Sequence, residues 1–152
     1  MTNINDKIES FELDTDQGKF YSKDHAGKNL VLFFFPKADT TGCTKEASSF
    51  SNLINEFEDL NTIVIGISKD TVEKQAKFKS KYDLKCILGS DVDIKICSKF
   101  GVWVEKSMYG KKYMGIQRST FLINTEQKIQ HIWNKVKVPG HAEEVLEVVK
   151  KL

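Results

Sequence analysis

The segment from residue 29 to residue 60 constrains the fold more than any other part of the chain. Residues 29–35 are predicted to form a β-strand covered on both faces, because residues 30–35 are an unbroken apolar run, and Pro36 ends the strand because proline cannot continue a β-ladder. After a polar loop at 37–42, apolar side chains recur every three or four residues from Ala47 to Leu60, which predicts an amphipathic helix. A strand of this kind needs helices on both sides of its sheet, so the segment favours an α/β fold.

The rest of the chain continues the alternation of strands and helices. In chain order the patterns first predict an N-terminal β-hairpin around the turn at 16–18, a strand at 62–68, a helix from Asp70 or Thr71 to about Tyr82, and a strand at 87–90. They then predict a short helix at 94–100, a loop or hairpin formed by 102–103 and 107–114, strands at 118–123 and 128–133, and a closing helix at 142–152. Early alternation followed by a late hairpin predicts a mixed central sheet flanked by helices, in a single domain over residues 1–152.

Composition and charge exclude several classes of function. The longest apolar run, residues 30–35, is far too short to cross a bilayer, and the first ten residues lack the features of a secretory signal, so we expect a cytoplasmic protein without membrane contact. The formal net charge is +2, with lysines and acids mixed along the chain. No basic stripe favours nucleic acid as a partner.

Cys43 is the candidate nucleophile. It follows the polar loop where a helix is predicted to begin, and the unpaired N–H groups and positive dipole end of a helix favour a thiolate. Thr40 or Thr41 is expected to cap the helix. A lone cysteine is more often a buried core residue, but the core-filling apolar residues begin only at Ala47, so we expect Cys43 at the surface end of the helix.

A helix terminus alone is too weak to keep a thiol ionised at neutral pH. It contributes roughly 0.3 to 1 kcal/mol, whereas ~3 kcal/mol is needed, so a fixed cation is required as well. Lys37, Lys45 and Arg118 are the candidates. Arg118 is the one arginine among 23 basic residues, and its permanently charged fork can hold a sulfur and a second acceptor together, so we favour it.

The residues around Cys43 resemble a known family. Pro36, Thr40 and Cys43 reproduce the P-x-x-x-T-x-x-C signature of peroxiredoxins, and residues 33–48 are similar to the bacterioferritin comigratory protein subfamily, also called type Q. The resemblance continues through LGSD at 88–91 and the segment 99–124. It implies a thioredoxin-like fold and a thiol peroxidase of antioxidant defence, often monomeric, that reduces hydrogen peroxide or organic hydroperoxides with thioredoxin or another thiol as reductant.

The same resemblance implies the roles of the site residues. Cys43 would be the peroxidatic cysteine that becomes a sulfenic acid, Arg118 would stabilise the thiolate and the leaving oxygen, Thr40 would orient the peroxide, and Pro36 would shield the pocket from water. Glu46 also matches the subfamily, although a glutamate in the first turn of a helix equally suits the helix dipole. No cofactor or metal is expected, since the three histidines show no ligand spacing with the cysteines.

The chain departs from the subfamily at the second cysteine. Many members carry a resolving thiol five residues after the first, and that position is Ser48 here. Cys86 and Cys97 remain as candidate resolving cysteines, although each could be a core residue. Resolution by Cys86, by Cys97 or by an external thiol all stay open, and we favour the external thiol.

Two other functions agree less well with the sequence. A thioredoxin-type disulfide oxidoreductase requires Cys-x-x-Cys, but the residue three after Cys43 is Glu46. A catalytically idle binding or chaperone-like module on the same scaffold would not need Cys43, Thr40 and Arg118 together.

Overall fold

The sheet is built around strand β3 (Asn29–Phe34), which is buried along its whole length. The computed structural model describes residues 3–152. β3 pairs in parallel with β4 (Thr62–Ser68) on one side and antiparallel with β8 (Ser119–Ile123) on the other. The continuous apolar sequence of β3 and β4 follows from this central position, because neither strand has a face toward water.

Besides β3, β4 and β8, the main sheet contains β1 (Glu12–Thr15), β2 (Gly18–Tyr21), β5 (Ile87–Ser90) and β9 (Ile129–Trp133). The seven strands lie in the order β2-β1-β5-β4-β3-β8-β9. β3, β4 and β5 are parallel, while the remaining neighbours are antiparallel, so the predicted mixed sheet is confirmed. The predicted N-terminal hairpin is confirmed as well, since β1 pairs antiparallel with β2.

The helices cover the sheet and divide the core into two halves. They are α1 (Thr41–Asn52), α2 (Ile54–Asp59), α3 (Val72–Tyr82), α4 (Lys95–Lys99) and α5 (His141–Lys150), with a short 3-10 helix at Ser22–His25. Alternate side chains of β3 enter opposite halves, with Leu32 in one and Phe33 in the other. We call the half that contains Leu32 the first core and the half that contains Phe33 the second core; helices α1, α2, α3 and α5 contribute to the second core and α4 to the first.

Two helix predictions meet different outcomes. The α3 prediction is confirmed, since Thr71 is its N-cap and the Thr71 hydroxyl accepts the Lys74 N–H. The single helix predicted up to Leu60 is wrong, because α1 and α2 are separated at Leu53. The nearby Ser51 hydroxyl accepts the Lys85 N–H and donates to the sulfur of Cys86, which ties the end of α1 to the segment before β5.

The segment left open as a loop or hairpin is a hairpin. Strands β6 (Trp103–Met108) and β7 (Lys111–Ile116) pair antiparallel and form a separate two-stranded sheet. Tyr109 and Gly110 make the turn, both with positive φ, 52° and 79°. Trp103 and Ile116, at the base of the hairpin, pack on the first core, while its far end extends into solvent.

Candidate active site

The loop between β3 and α1 is held in place by α3 and the residues before it. The Asp70 carboxylate accepts the Ala38 N–H at 2.7 Å. Asp39, which has a left-handed φ of 62°, accepts hydrogen bonds from Lys81, at 2.9 Å, and from the Tyr82 hydroxyl. These side-chain contacts fix the path of the loop into the first turn of α1.

Cys43 lies in the first turn of α1 and is buried, with 1% of its surface exposed. The expectation that it would sit at the surface end of the helix is therefore wrong. Cys43 stands four residues before Ala47 and seven before Phe50, so it belongs to the same apolar stripe of the helix and faces the second core.

The capping prediction is confirmed for the position of Thr40, but not for a capping bond from its side chain. Thr40 occupies the N-cap position, but its side chain makes no bond to a helix N–H. Its hydroxyl instead donates to the Lys37 carbonyl at 2.8 Å, and its backbone carbonyl accepts the Thr44 hydroxyl at 2.7 Å. Thr41 is already the first helical residue. The Thr40 hydroxyl is exposed and keeps lone pairs that can accept a further hydrogen bond.

Arg118 connects the site across the fold. It lies immediately before β8, and its Nη2 donates to the Cys43 sulfur at 3.2 Å while Nη1 donates to Glu46 Oε1 at 2.7 Å. One planar fork therefore holds both side chains, which point from the same face of α1. Gly42 makes room for it, since a Cβ there would lie 3.3 Å from Nη2.

The charges of this group are mutually dependent. Glu46 is buried, and its Oε2 has no hydrogen-bond partner within residues 3–152. Burial raises the pKa of Glu46 to about 7, even though the positive charge of Arg118 acts in the opposite direction. For Arg118 burial disfavours the charge, but the attraction of Glu46 and Cys43 outweighs it and the pKa is raised. The guanidinium thus remains charged beside the sulfur.

Sequence reasoning missed two contributors to this site. Glu46 was matched only to the subfamily or the helix dipole, yet it is a charged residue within the buried stripe of α1, which is a signal for a paired charge. Lys106 of β6 had no signal at all. Its pKa is lowered by burial and then by Arg118, while Cys43 raises it, so this half-buried ammonium acts on the same site.

Pro36 lies half-buried directly after the last residue that continues the sheet. The Phe35 N–H donates to the Ile67 carbonyl at 2.9 Å, and Pro36, without an N–H, stops this ladder. The chain then turns into the loop that carries Thr40. Pro36 is thus at the start of the loop that leads to Cys43.

The other two cysteines are placed differently. Cys86 is fully buried in the second core, and burial raises the pKa of its thiol to about 11. Cys97 is fully buried in the first core, on the opposite face of the sheet from Cys43, and burial together with Asp91 raises the pKa of its thiol. All three thiols are free.

A metal site and a membrane span are both absent from the described part of the chain. Within residues 3–152, the histidines, cysteines and acidic side chains form no group of three that could hold a metal ion. None of the helices in this same stretch combines the length and the apolar character needed to cross a membrane.

Comparison with known proteins identifies similar chains over nearly the whole length. The profile of the AhpC/TSA family matches residues 4–132. Peroxiredoxin Bcp of Bacillus subtilis is 42% identical over 150 residues, covering 98% of this chain and 96% of the relative. Peroxiredoxin Bcp of Escherichia coli is 38% identical over 138 residues, with coverage of 91% and 88%.

Solved structures agree in architecture. A crystal structure of PrxQ from Xylella fastidiosa superposes with a TM-score of 0.95 at 38% identity, covering 99% of this chain and 97% of that one. The bacterioferritin comigratory protein of Xanthomonas campestris, studied for its alkyl peroxide reduction activity, has a TM-score of 0.89 at 38% identity, with coverage of 96% and 98%. The predicted thioredoxin-like fold is confirmed by these matches.

Proposed function

Because this chain belongs to the AhpC/TSA family of peroxiredoxins and is a thiol-dependent peroxidase, we propose that Cys43 is its peroxidatic cysteine. One observation carries the proposal: the Arg118 guanidinium donates to the Cys43 sulfur at 3.2 Å and is held there by Glu46 at 2.7 Å. Among the described residues, no cation is hydrogen-bonded to the sulfur of Cys86 or Cys97. A fixed positive charge favours the thiolate, which is the reactive form.

The first chemical step needs only this sulfur and its cation. The Cys43 thiolate attacks the terminal oxygen of the peroxide, an S–O bond forms as the O–O bond breaks, and the sulfur becomes a sulfenic acid. The leaving oxygen departs as water or an alcohol after taking up one proton, which balances the proton lost when the thiol ionised. Negative charge moves from the sulfur to the leaving oxygen, and Arg118 lies beside both positions, so it lowers the barrier electrostatically.

Thr40 and Pro36 complete the proposed pocket. The Thr40 hydroxyl hydrogen is used by the Lys37 carbonyl, so its oxygen is available to accept a hydrogen bond from the peroxide O–H. That contact would align the O–O bond with the sulfur. Pro36 lacks an N–H and lies half-buried at the entrance to the loop, which supports a role in keeping water from the sulfur.

We propose that an external thiol, such as thioredoxin, reduces the sulfenic acid. Its thiol attacks the Cys43 sulfur, water leaves, and a mixed disulfide forms; a second thiol of the reductant then releases the Cys43 thiolate. Cys97 lies across the sheet from Cys43, and Cys86 is fully buried with a pKa raised to about 11. Both observations favour the external thiol over an internal disulfide.

The proposal extends to the setting in which the enzyme works. Hydrogen peroxide and organic hydroperoxides are the proposed substrates, and the chain is proposed to act as a cytoplasmic monomer with a single domain over residues 1–152. Its three free thiols suit a reducing compartment. The two cores share one sheet, which supports a single domain.

The decisive experiment measures peroxide consumption by cysteine variants and the oxidation state of each cysteine. Cys43→Ser should abolish peroxide consumption with dithiothreitol as reductant, whereas Cys97→Ser and Ser48→Ala should retain it. After one equivalent of peroxide, mass spectrometry should find a sulfenic acid on Cys43 and no internal disulfide. Retained turnover in Cys43→Ser would overturn the assignment of the nucleophile. A disulfide from Cys43 to Cys86 or Cys97 would show that an internal cysteine, and not an external thiol, reacts with the sulfenic acid. A wild-type protein that consumes no peroxide with any thiol would instead indicate the idle binding module.

A further inference from the structure

The β6–β7 hairpin, residues 103–116, concentrates exposed apolar side chains. Four of the nine large hydrophobic residues that are exposed in residues 3–152 lie in it. Monomeric proteins rarely expose such groups together unless the surface binds something, and methionine and tyrosine are common at binding surfaces. The four are Met108, Tyr109, Tyr113 and Met114.

Tyr109 is the clearest member of this set. It is 98% exposed at the tip of the hairpin and adopts a positive φ of 52°. Two-residue hairpin turns of this kind favour asparagine or aspartate before glycine, and a bulky side chain is strained there. Tyr109 has almost no contact within its own chain to offset that strain, so the aromatic ring is available to another molecule.

The hairpin also holds the excess charge of the protein. Its 14 residues include three lysines and one glutamate, a net charge of +2, which equals the formal net charge of the whole chain. The remaining residues therefore carry equal numbers of basic and acidic side chains. Within residues 3–152, Lys106 and Lys111 have no ion pair, and Lys112 faces Glu105 only at 3.9 Å.

The two faces of the hairpin carry different side chains, and its exposed residues are divided between them. Cross-strand partners share a face, which places Met108 with Lys111 and Tyr113 with Lys106. The Lys106 side chain lies across Gly115, whose Cβ position is 3.3 Å from Lys106 Cδ. The hairpin ends at Ile116, two residues before Arg118, which bonds the Cys43 sulfur. Lys106 also interacts electrostatically with Arg118 and Cys43, so the base of the hairpin adjoins this sulfur.

We propose that the exposed end of this hairpin, residues 107–114, is the docking surface for the protein that reduces Cys43, a thiol reductant with acidic side chains around an apolar patch. The inference rests on the proposed function, because only a peroxidase that forms a sulfenic acid needs such a partner. A basic rim attracts an acidic partner and raises the rate of encounter, while the apolar centre supplies contact area. The position beside Cys43 is where the reductant must present its thiol.

Two other occupants fit less well. A second copy of the chain in a two-fold dimer would place the lysines of one hairpin against those of the other, and like charges oppose such pairing. A membrane surface with anionic lipids is usually recognised by clusters of roughly four to eight basic residues, more than this hairpin provides.

The test compares two reductants with the same enzyme. Turnover is measured with an acidic thioredoxin, kept reduced by its reductase and NADPH, and separately with dithiothreitol. In Lys111→Glu/Lys112→Glu, kcat/KM for thioredoxin should fall at least about tenfold through a higher KM, while dithiothreitol turnover stays unchanged. Tyr109→Ser should weaken thioredoxin turnover while leaving the charge intact. Raising the salt concentration should slow wild-type turnover with thioredoxin more than that of the charge-reversed variant.

The matched control reverses the same charge elsewhere. Lys28→Glu/Lys128→Glu alters exposed lysines at the amino end of β3, whereas Cys43 follows its carboxyl end about 20 Å away along the strand. This control should keep both activities. The inference is overturned if the hairpin variants retain wild-type kcat/KM for thioredoxin, if they lose dithiothreitol turnover equally, or if the hairpin mediates dimers or binding to anionic vesicles. Absence of dithiothreitol turnover in the wild-type protein would contradict the proposed function instead.

Discussion

Cys43 and Cys97 occupy opposite faces of the same sheet and are almost equally buried, at 1% and 0% exposure. Their charged neighbours have opposite signs. Cys43 accepts a hydrogen bond from the Arg118 guanidinium, whereas Cys97 lies beside the Asp91 carboxylate, which accepts its backbone N–H at 2.7 Å. Burial therefore does not distinguish the proposed peroxidatic Cys43 from Cys97. The sign of the charge nearest to each sulfur does.

The spatial order of the charged groups around Cys43 matters for its thiolate as much as their presence does. A carboxylate is also near Cys43, but Arg118 stands between Glu46 and the sulfur and bonds both. Glu46 can therefore position the guanidinium without facing the thiolate directly. At Cys97 no cation of the described chain intervenes, and Asp91 raises the pKa of that thiol further above the value that burial alone would give.

The largest expected effect is on the reaction rate with peroxide and comes from replacing the Arg118 guanidinium beside Cys43. Arg118→Lys keeps a positive charge but cannot hold the sulfur and Glu46 together, so the second-order rate constant for peroxide should fall about a hundredfold. Stopped-flow tryptophan fluorescence measures this rate directly. Arg118→Met, which also removes the charge, should be slower still. Equal rates for wild type and Arg118→Lys would mean that charge alone distinguishes the two cysteines.

A smaller effect is expected from Glu46→Gln. The folded state holds the Glu46 proton more tightly, with a pKa of about 7 against an ordinary 4.5. The contribution of this group to stability is therefore complete below pH 4.5 and is lost as pH rises to 7. Glutamine imitates the protonated acid. Above pH 7 the variant should be more stable than wild type by about 1 to 3 kcal/mol, and near pH 4.5 the two should agree.

Urea unfolding at several pH values measures this difference. Glu58→Gln, at an exposed position on α2, is the matched control and should follow the wild-type curve. If Glu46→Gln shows the same pH dependence as wild type, then the buried carboxylate is not the titrating group.

The smallest effect concerns the face that contains Cys97. Asp91 accepts the Ile96 N–H and the Cys97 N–H with different oxygens, at 3.1 and 2.7 Å. An asparagine side chain at this position would offer one oxygen only, so Asp91→Asn should lower the free energy of unfolding by about 1 kcal/mol. Asp93→Asn, at an exposed position nearby, should change it little.

The same variant tests the comparison of the two sulfurs. In native Asp91→Asn, iodoacetamide should still modify Cys43 and leave Cys97 unmodified, because removing the carboxylate supplies no cation. Modification of Cys97 at the rate of Cys43 would show that the acid alone had kept it inert.

Much of the fold was accessible from sequence because its signals are local. The continuous apolar strands, the turn at Gly18 and the start of α3 at Thr71 each depend on neighbouring residues. The rarity and the chemistry of arginine identify Arg118 as the candidate cation for Cys43. The 75 residues between them along the chain give no local signal that the two side chains are in contact.

The burial of Cys43 differs from the prediction because the buried face of α1 begins before Ala47. Cys43 lies one helical turn before Ala47, and Glu46, between them in sequence, lies on the same face. The position of Lys106 could not be predicted, since it depends on where a hairpin outside the main sheet lies.

With 1% of its surface exposed, the Cys43 sulfur is covered by its own chain. A peroxide has only a few heavy atoms, whereas the thiol of a protein reductant is attached to a much larger molecule. The proposed reaction with a protein thiol therefore requires the first turn of α1 to move further than the proposed reaction with the peroxide does.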